Sequence, residues 1–192
     1  MEGEPLIIIA GMLGAGCTEA ALNFAKKHGL KVVNSELIIK QIVVEGRLSY
    51  SDLERITRSG EVDLEDLMES ILLDHVNERR VVVEGRMAFM LLGREDVDLK
   101  VFLWAPRDFR ARRIANRRKI SFTEALEEIE RSDEERRNFV YRRLKRDWMD
   151  ADLYDMVINT SKYVNLNEVA ELIEEAYKIR RKWKNDYNST RD

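Results

Sequence analysis

One stretch decides the fold, Leu6-Ile7-Ile8-Ile9-Ala10-Gly11-Met12-Leu13-Gly14-Ala15-Gly16-Cys17-Thr18. Its first half is a short, continuous apolar run, which predicts a buried parallel strand because helices cover both faces of such a strand. Three glycines follow, and a helical pattern then runs from Thr18 to Lys27. Glycines at a strand-to-helix turn let the backbone approach phosphate oxygens, and the N-terminus of the helix adds positive potential. We therefore interpret the stretch as a phosphate-binding loop.

The loop departs from the full motif G-x-x-x-x-G-K-[ST] at one position. Thr18 stands where a hydroxyl would ligate Mg²⁺, but Cys17 stands where the motif has lysine. We interpret Cys17 as a small residue in the lysine's place; alternatively, its position at a helix N-terminus could lower the pKa of the thiol and make it reactive. Two other interpretations of the loop stay open. One is a dinucleotide-binding turn with Glu36 as the ribose-binding acid, and the other is a tight turn without a ligand.

Four more short apolar runs predict the rest of a parallel sheet, at residues 31–33, 80–84, 99–104 and 155–159. The amphipathic stretches between them predict helices, and this alternation is typical of βαβ units. The long interval between the last two runs has no strand-like pattern. It is rich in arginine, with fourteen basic and eight acidic residues over positions 107–146, and it predicts a basic helical lobe.

The composition indicates one globular domain, with 192 residues, 36% of them charged, and a net charge of −3. The near balance of charge speaks against nucleic acid as a partner without excluding it. A single cysteine excludes an internal disulfide and a Cys-rich zinc site. No apolar stretch near the start approaches the roughly 20 residues that span a bilayer, so we expect a cytoplasmic protein without a membrane partner. His28 and His75 belong to no triad-like pattern, and we interpret both as structural.

A second chemical signal is Glu84-Gly85-Arg86, which follows a run of valines. Ligands bind at the carboxyl ends of parallel strands, so Glu84 would face the same crevice as the glycine loop. A carboxylate there can hold a shell water of Mg²⁺, and Arg86 can grip a phosphate with two hydrogen bonds. The alternative is a surface salt bridge between Glu84 and Arg86.

The basic lobe supplies further candidates. Arg110, Arg113 and Arg117 are spaced i, i+3 and i+7, so they share one face of a helix. Arginines on such a face can stabilise the negative charge of a phosphoryl group in transfer. The alternative is a solvated helix with ordinary Arg–Glu pairs. Three more arginines follow on the next stretch: Arg131, Arg136 and Arg137.

Four segments, taken in order, resemble a known family. Residues 82–88 are similar to its V-L-E-G-R-L-A, and residues 98–115 to its D-L-K-I-W-L-x-A-P-x-x-x-R-x-x-R-I-A. Residues 120–126 are similar to I-S-F-E-E-A-L, and residues 154–160 to Y-D-L-V-I-N-T. The family is that of the archaeal cytidylate kinases, among the nucleoside monophosphate kinases.

The resemblance implies a P-loop fold with three α/β/α layers and a five-stranded parallel sheet in the order 2-3-1-4-5. It implies transfer of the γ-phosphate of ATP to CMP or dCMP with Mg²⁺, so that small nucleotides are the partners, and we expect a monomer. The core would comprise residues 1–34, 78–106 and 150–192. Residues 35–77 would form a helical monophosphate-binding arm, and residues 107–149 a helical lid.

The candidate site residues fall into four groups. The ATP-binding loop would comprise Gly11, Met12, Leu13, Gly14, Ala15, Gly16, Cys17, Thr18 and Glu19. The catalytic group would comprise Arg86, Arg113, Arg117, Arg131 and Arg137. The monophosphate would be bound by Ser35, Lys40, Asp63 and Arg86. Mg²⁺ would be held by Thr18 and, through water, by Glu84.

Three positions depart from the family pattern. Ile39 stands where an arginine toward the monophosphate would fall, with Lys40 one residue later. Asn138 replaces an arginine of the lid beside Arg137, and Glu19 replaces the last threonine of the loop. These departures keep two alternatives open: a P-loop kinase of the same fold with another small acceptor, and a nucleotide-binding paralogue without catalysis.

Overall fold

The computed structural model describes residues 4–189. The strands of its sheet are Leu6–Gly11 (β1), Lys31–Val33 (β2), Val81–Glu84 (β3), Leu99–Trp104 (β4) and Met156–Asn159 (β5). Their order is β2-β3-β1-β4-β5, and each neighbouring pair is parallel. The order that the resemblance implied is therefore confirmed. It differs from the dinucleotide-binding order 3-2-1-4-5-6, so the sheet speaks against a dinucleotide-binding turn with Glu36 as the ribose-binding acid.

Helices connect the strands. They are Cys17–His28 (α1), Ser35–Glu45 (α2), Tyr50–Arg58 (α3), Leu64–Glu78 (α4), Arg107–Arg118 (α5), Phe122–Leu144 (α6) and Leu166–Ser189 (α7). Three short 3₁₀ helices lie at Met87–Leu91, Ala151–Leu153 and Thr160–Lys162. The prediction of helices alone between the fourth and fifth strands is confirmed by α5 and α6. The third and fifth strands each begin one residue later than their apolar runs predicted.

Side-chain caps fix where several of these helices begin. Asn34 accepts a hydrogen bond from the Leu37 N–H at the start of α2, and Asp63 caps α4 in the same way. Ser49 and Ser121 form capping boxes at α3 and α6. Each cap satisfies N–H groups that the first turn of a helix cannot pair internally, so the boundaries follow from local sequence.

Two apolar cores hold the chain together. The main core surrounds the central strand β1, whose residues from Leu6 to Ala10 are fully buried. A smaller cluster of Ala111, Ile114, Ala125 and Ile129 joins α5 to α6. The α5–α6 pair therefore has a core of its own, apart from the sheet. Within residues 4–189, no helix combines the length and the apolar character needed to cross a membrane.

Candidate active site

The loop between β1 and α1 has a backbone that favours glycine. Gly14 and Gly16 have φ of 85° and 100°, which other residues adopt only with strain. A Cβ on Gly16 would lie 2.5 Å from Cδ1 of Leu166 and 3.1 Å from a guanidinium nitrogen of Arg113. Gly16 is also the N-cap of α1, and among the described residues no side chain caps that helix. The first N–H groups of α1 are therefore available to an anion.

Glu84 meets the loop at the carboxyl edge of the sheet, because the register of β1 and β3 pairs it with Ile9. The Thr18 hydroxyl donates to Oε1 of Glu84 at 3.1 Å, and Nδ2 of Asn34 donates to the same oxygen at 2.9 Å. Glu84 is only 5% exposed. Burial raises the pKa of its carboxyl group, and the hydrogen bonds from Asn34 and Thr18 oppose that rise. These contacts speak against the alternative of a surface salt bridge between Glu84 and Arg86, because the Glu84 carboxylate is buried and accepts hydrogen bonds from Thr18 and Asn34 instead.

Cys17 is buried beneath the same loop. Burial, and then the charge of Glu84, raise the pKa of its thiol to about 12. A thiol with so high a pKa stays protonated at neutral pH and is a poor nucleophile. The alternative of a reactive thiol with a lowered pKa is therefore wrong. Cys17 is a small buried side chain at the position where the motif has a lysine.

A cavity of about 500 Å³ lies beside the loop and brings it together with Glu84 and four arginines. Arg113, Arg117 and Arg118 come from α5, and Arg136 comes from α6. Arg113 and Arg118 each have a glutamate partner. Within the described part of the chain, Arg117 and Arg136 have no carboxylate within 4 Å. Guanidinium groups without a carboxylate partner around a phosphate-type loop suit a polyanionic ligand.

Arg110 has a different place from its neighbours on α5. It is 4% exposed, and its guanidinium forms two hydrogen bonds to the carboxylate of Asp133, at 3.1 and 2.7 Å. It also donates to the carbonyl oxygens of Leu13, at 3.1 Å, and Ala105, at 3.0 Å. The hypothesis of a phosphate-facing arginine is therefore wrong for Arg110, which instead fastens α5 and α6 to the glycine loop.

Three of the predicted catalytic arginines lie outside this cavity's lining. Arg86 is 3.7 Å from a carboxylate oxygen of Glu135, and its guanidinium carbon is 5.9 Å from the centre of the Phe139 ring. Arg131 and Arg137 are exposed on α6. Their catalytic roles stay predictions, and in this conformation each would have to move to reach the loop.

Apart from Arg86, the residues predicted to bind the monophosphate are spread along the α2–α4 segment. Ser35 is half-buried at the start of α2, next to the Asn34 cap that contacts Glu84. Lys40 is exposed on α2, whereas Ile39 packs against the main core. Asp63 accepts hydrogen bonds from the N–H groups of Glu65 and Asp66 as the cap of α4. Of these three residues, Ser35 alone lies next to the Asn34–Glu84 contact.

Comparison with known proteins agrees with this arrangement. The model of the cytidylate kinase-like family matches residues 6–162. The chain belongs to the cytidylate kinase-like family. A cytidylate kinase of Pyrococcus abyssi is 32% identical over 163 residues, which are 84% of this chain and 88% of the relative. One of Saccharolobus islandicus is 30% identical over 173 residues, 88% of each chain.

Solved structures support the same fold. A shikimate kinase from Bacteroides thetaiotaomicron superposes with a TM-score of 0.57 at 20% identity, and the match covers 88% of this chain and 98% of that one. The protein therefore has the fold of the P-loop kinases. Its membership of the cytidylate kinase-like family assigns it to the kinases, a class of phosphotransferase.

Sequence reasoning missed one feature of this kinase site, Asn34, and named a second, Arg136, without selecting it as a site residue. Asn34 links α2 to Glu84, but the sequence signal at Asn34 is only that of a helix cap. Arg136 lines the cavity, but nothing in the alternating Arg–Glu pattern of α6 distinguishes it from exposed Arg131 and Arg137. Burial is what separates them, and burial depends on how α6 packs.

Proposed function

We propose that this member of the cytidylate kinase-like family transfers the γ-phosphoryl group of ATP to CMP or dCMP. The observation that carries the proposal is the cavity in which the glycine loop, Glu84 and the arginines of α5 and α6 face one another. Its relatives in Pyrococcus abyssi and Saccharolobus islandicus are named cytidylate kinases. The model of the family matches residues 6–162, a range that includes both the loop and the α2–α4 segment.

The donor phosphates would lie on the loop. The uncapped N–H groups of α1 would donate to phosphate oxygens, and the left-handed backbone at Gly14 and Gly16 keeps those groups turned toward the ligand. Arg113 and Arg117 would approach from α5 and stabilise the charge that builds on the transferring phosphoryl group.

The residues around Glu84 fit a magnesium ion. Mg²⁺ prefers oxygen ligands and is usually held by one or two carboxylates together with substrate phosphates. The Thr18 hydroxyl and the Glu84 carboxylate offer such oxygens, 3.1 Å apart, at the edge of the loop. When bound, the ion would neutralise charge on the β- and γ-phosphates. Thr18 would ligate it directly, and Glu84 would hold one of its waters.

The acceptor would enter from the side of the α2–α4 segment, which we propose as the monophosphate-binding arm, with α5 and α6 as the lid. An oxygen of the acceptor's phosphate attacks the γ-phosphorus, the bond from that phosphorus to the bridging oxygen breaks, and ADP leaves. Asn34 caps α2 and contacts Glu84, so the beginning of the arm is fixed relative to the reacting phosphates.

A second cavity, of about 340 Å³, would receive the nucleoside of ATP. It shares Arg113 with the first cavity, and it is also lined by Phe109, Arg112 and Tyr163. Aromatic rings and guanidinium planes are surfaces on which a base can stack. Because Arg113 borders both cavities, a nucleotide could place its base in one and its phosphates in the other.

The test is a coupled assay of ADP release with ATP, Mg²⁺ and each of CMP, dCMP, UMP, AMP, GMP and shikimate. We expect release with CMP and dCMP, and about a 10–100-fold lower kcat for Glu84→Gln, as for residues that orient a metal's ligands. Arg117→Ala should lower kcat/KM about 10²–10³-fold, as for loss of one donor to a transition-state oxyanion. Arg107→Ala is the control, because its exposed guanidinium pairs with Glu130 outside both cavities.

The exposed position of Lys40 and the packing of Ile39 against the core favour one alternative, a kinase with a different small acceptor. Selective ADP release with another compound of the panel would support that alternative and overturn CMP as the substrate. ATP binding without release for any acceptor would favour the non-catalytic paralogue.

A further inference from the structure

One side chain joins the carboxylate of the candidate site to the beginning of the α2–α4 segment. Asn34 lies between β2 and α2, and both ends of its amide are engaged. Its Oδ1 accepts a hydrogen bond from the N–H of Leu37 at 2.9 Å, which caps α2, and its Nδ2 donates to Oε1 of Glu84 at 2.9 Å. Because one amide group makes both bonds, a rotation of the side chain that breaks one also disturbs the other.

The sheet places Asn34 and Glu84 side by side. The parallel register of β2 and β3 pairs Val33 with Val83, so Asn34 and Glu84, the next residues of the two segments, are neighbours at the carboxyl edge. Asn34 keeps an extended backbone, with φ of −146° and ψ of 176°, so its side chain continues the alternation of the strand. The contact between the two side chains therefore follows from the register of the sheet.

Only one oxygen of the Glu84 carboxylate is used for this support. Oε1 accepts the hydrogen bonds from both Thr18 and Asn34, whereas Oε2 accepts none within residues 4–189. Glu84 also lines the cavity beside the loop, so Oε2 is available to a water of a bound Mg²⁺. The terminal torsion of a glutamate has only a broad preference, so neighbouring hydrogen bonds determine which way the carboxylate faces. Without Asn34, the Thr18 hydroxyl alone would hold it.

The residue type at position 34 fits both tasks. Serine, threonine, aspartate and asparagine are the side chains preferred at the N-cap of a helix. Aspartate has no donor for the Glu84 carboxylate, and serine and threonine carry their hydroxyl on Cβ, one bond closer to the backbone. Of these four, asparagine alone combines an acceptor for the cap with a donor of the reach observed here.

We propose that Asn34 is a positioning residue that orients the Glu84 carboxylate and fixes the first turn of α2 together, and so couples the metal-facing acid to the acceptor arm. Ser35, the next residue, is where this coupling reaches the phosphate of the acceptor. The inference rests on the proposed function, because it takes the α2–α4 segment as the acceptor arm and Glu84 as the holder of a magnesium-bound water. It goes further by naming the residue that makes the two depend on each other.

The experiment measures the dissociation constant of CMP by calorimetry, without ATP and without Mg²⁺, for the full chain. Asn34→Ser retains a capping oxygen for α2 and loses the reach to Glu84, so we expect it to weaken CMP binding about threefold or more. In the assay of ADP release it should lower kcat about 10–100-fold and raise the Mg²⁺ concentration that gives half the maximal rate. Ser49→Ala removes the cap of α3 in the same segment and is the matched control, with CMP affinity and kcat near those of the wild type.

Two further backgrounds separate positioning through Glu84 from a purely structural role. Glu84→Ala removes the partner of Asn34, so in that background Asn34→Ser should leave CMP affinity almost unchanged. Glu84→Gln keeps an oxygen that can accept from Asn34, so there Asn34→Ser should still weaken CMP binding.

Three results would overturn the inference: unchanged CMP binding by Asn34→Ser, an equal loss in Ser49→Ala, or an effect of Asn34→Ser that is as large in the Glu84→Ala background as in the wild type. A wild-type protein that releases no ADP with CMP would instead overturn the proposed function. That outcome is distinguishable because it is observed before any substitution is made.

Discussion

Replacing Arg110 by alanine tests the packing on which the whole site depends. Arg110 is almost fully buried and donates four hydrogen bonds, to Asp133, Leu13 and Ala105. Removing one partner of a buried ion pair costs about 3–5 kcal/mol, because the remaining charge stays buried without compensation. The side chain of Asp133 is 17% exposed and gains some relief from water, so we expect a loss near the lower end of that range, about 3 kcal/mol.

The loss is measured by equilibrium unfolding in urea, with thermal unfolding as a second probe. For a domain of this size, each kcal/mol lowers Tm by about 2–4 °C, so Arg110→Ala should lower Tm by about 6–12 °C. Arg107→Ala is the matched control on the same helix, because its pair with Glu130 is more than half exposed on both sides. An exposed pair contributes about 0–1 kcal/mol, so the control should lower Tm by at most about 4 °C.

A double-mutant cycle with Asp133→Ala isolates the pair itself. Because the two residues are in contact, the effects of the single substitutions should not add, and the double variant should be little worse than either single one. Equal stability of Arg110→Ala and Arg107→Ala would refute the reasoning. So would strict additivity in the cycle, since either result would mean that the Arg110–Asp133 pair does not hold α5 and α6 to the loop.

Three further predictions concern the loop and the core. Gly16 and Gly60 both have positive φ, a conformation that costs a non-glycine residue about 1–2 kcal/mol. An added Cβ would lie within 3 Å of other atoms at Gly16, whereas at Gly60 it would meet nothing within 4 Å. Gly16→Ala should therefore lower the free energy of unfolding, measured in urea, by more than Gly60→Ala. Burial and, to a smaller extent, the positive charge of Lys31 lower the pKa of His75 in the folded protein. At pH values between this lowered pKa and the ordinary value of about 6.5, the unfolded chain therefore binds more protons than the folded protein. Stability should therefore fall as pH drops through this window, and His75→Gln should flatten the dependence of Tm on pH; an unchanged slope would contradict it. Cys17, with its pKa raised to about 12, should resist iodoacetamide at pH 8 in the native state and react in urea, as counted by mass spectrometry; rapid native labelling would show that the thiol is not buried.

The sheet could be predicted from sequence because its signals are local. Each apolar run is flanked by polar or glycine-containing segments, and a run of that kind is compatible with few structures other than a buried strand. The positions of the loop, Thr18 and Glu84 followed for the same reason, since the ends of adjacent parallel strands meet at one edge. Strand order came from the resemblance, because the order of strands depends on contacts between distant residues.

The arginines show where local reasoning ends. Arg110, Arg113 and Arg117 share one face in a helical projection. Arg110 is nevertheless buried and joins α5 to α6 and the loop through hydrogen bonds, whereas the other two line the cavity. The difference arises from Asp133, which lies 23 residues away and reaches Arg110 only because α6 folds back against α5. A helical projection describes one helix and cannot contain that information.

The same contact connects the absence of a lysine at position 17 of the loop with the packing of α6. A lysine in the loop would be positioned by the loop itself, whereas an arginine on α6 reaches the phosphates only if α6 is fastened to the loop. Arg110 provides that fastening through Asp133 and the carbonyl oxygen of Leu13. If Arg136, which lines the cavity beside the loop, contacts the donor phosphates, then Arg110→Ala should weaken ATP binding along with stability, while Cys17→Lys should make ATP binding less sensitive to the loss of Arg110. Positioning by a buried ion pair thus links the stability of α5 and α6 to donor affinity, and calorimetry on the Arg110→Ala/Cys17→Lys double variant measures that link directly.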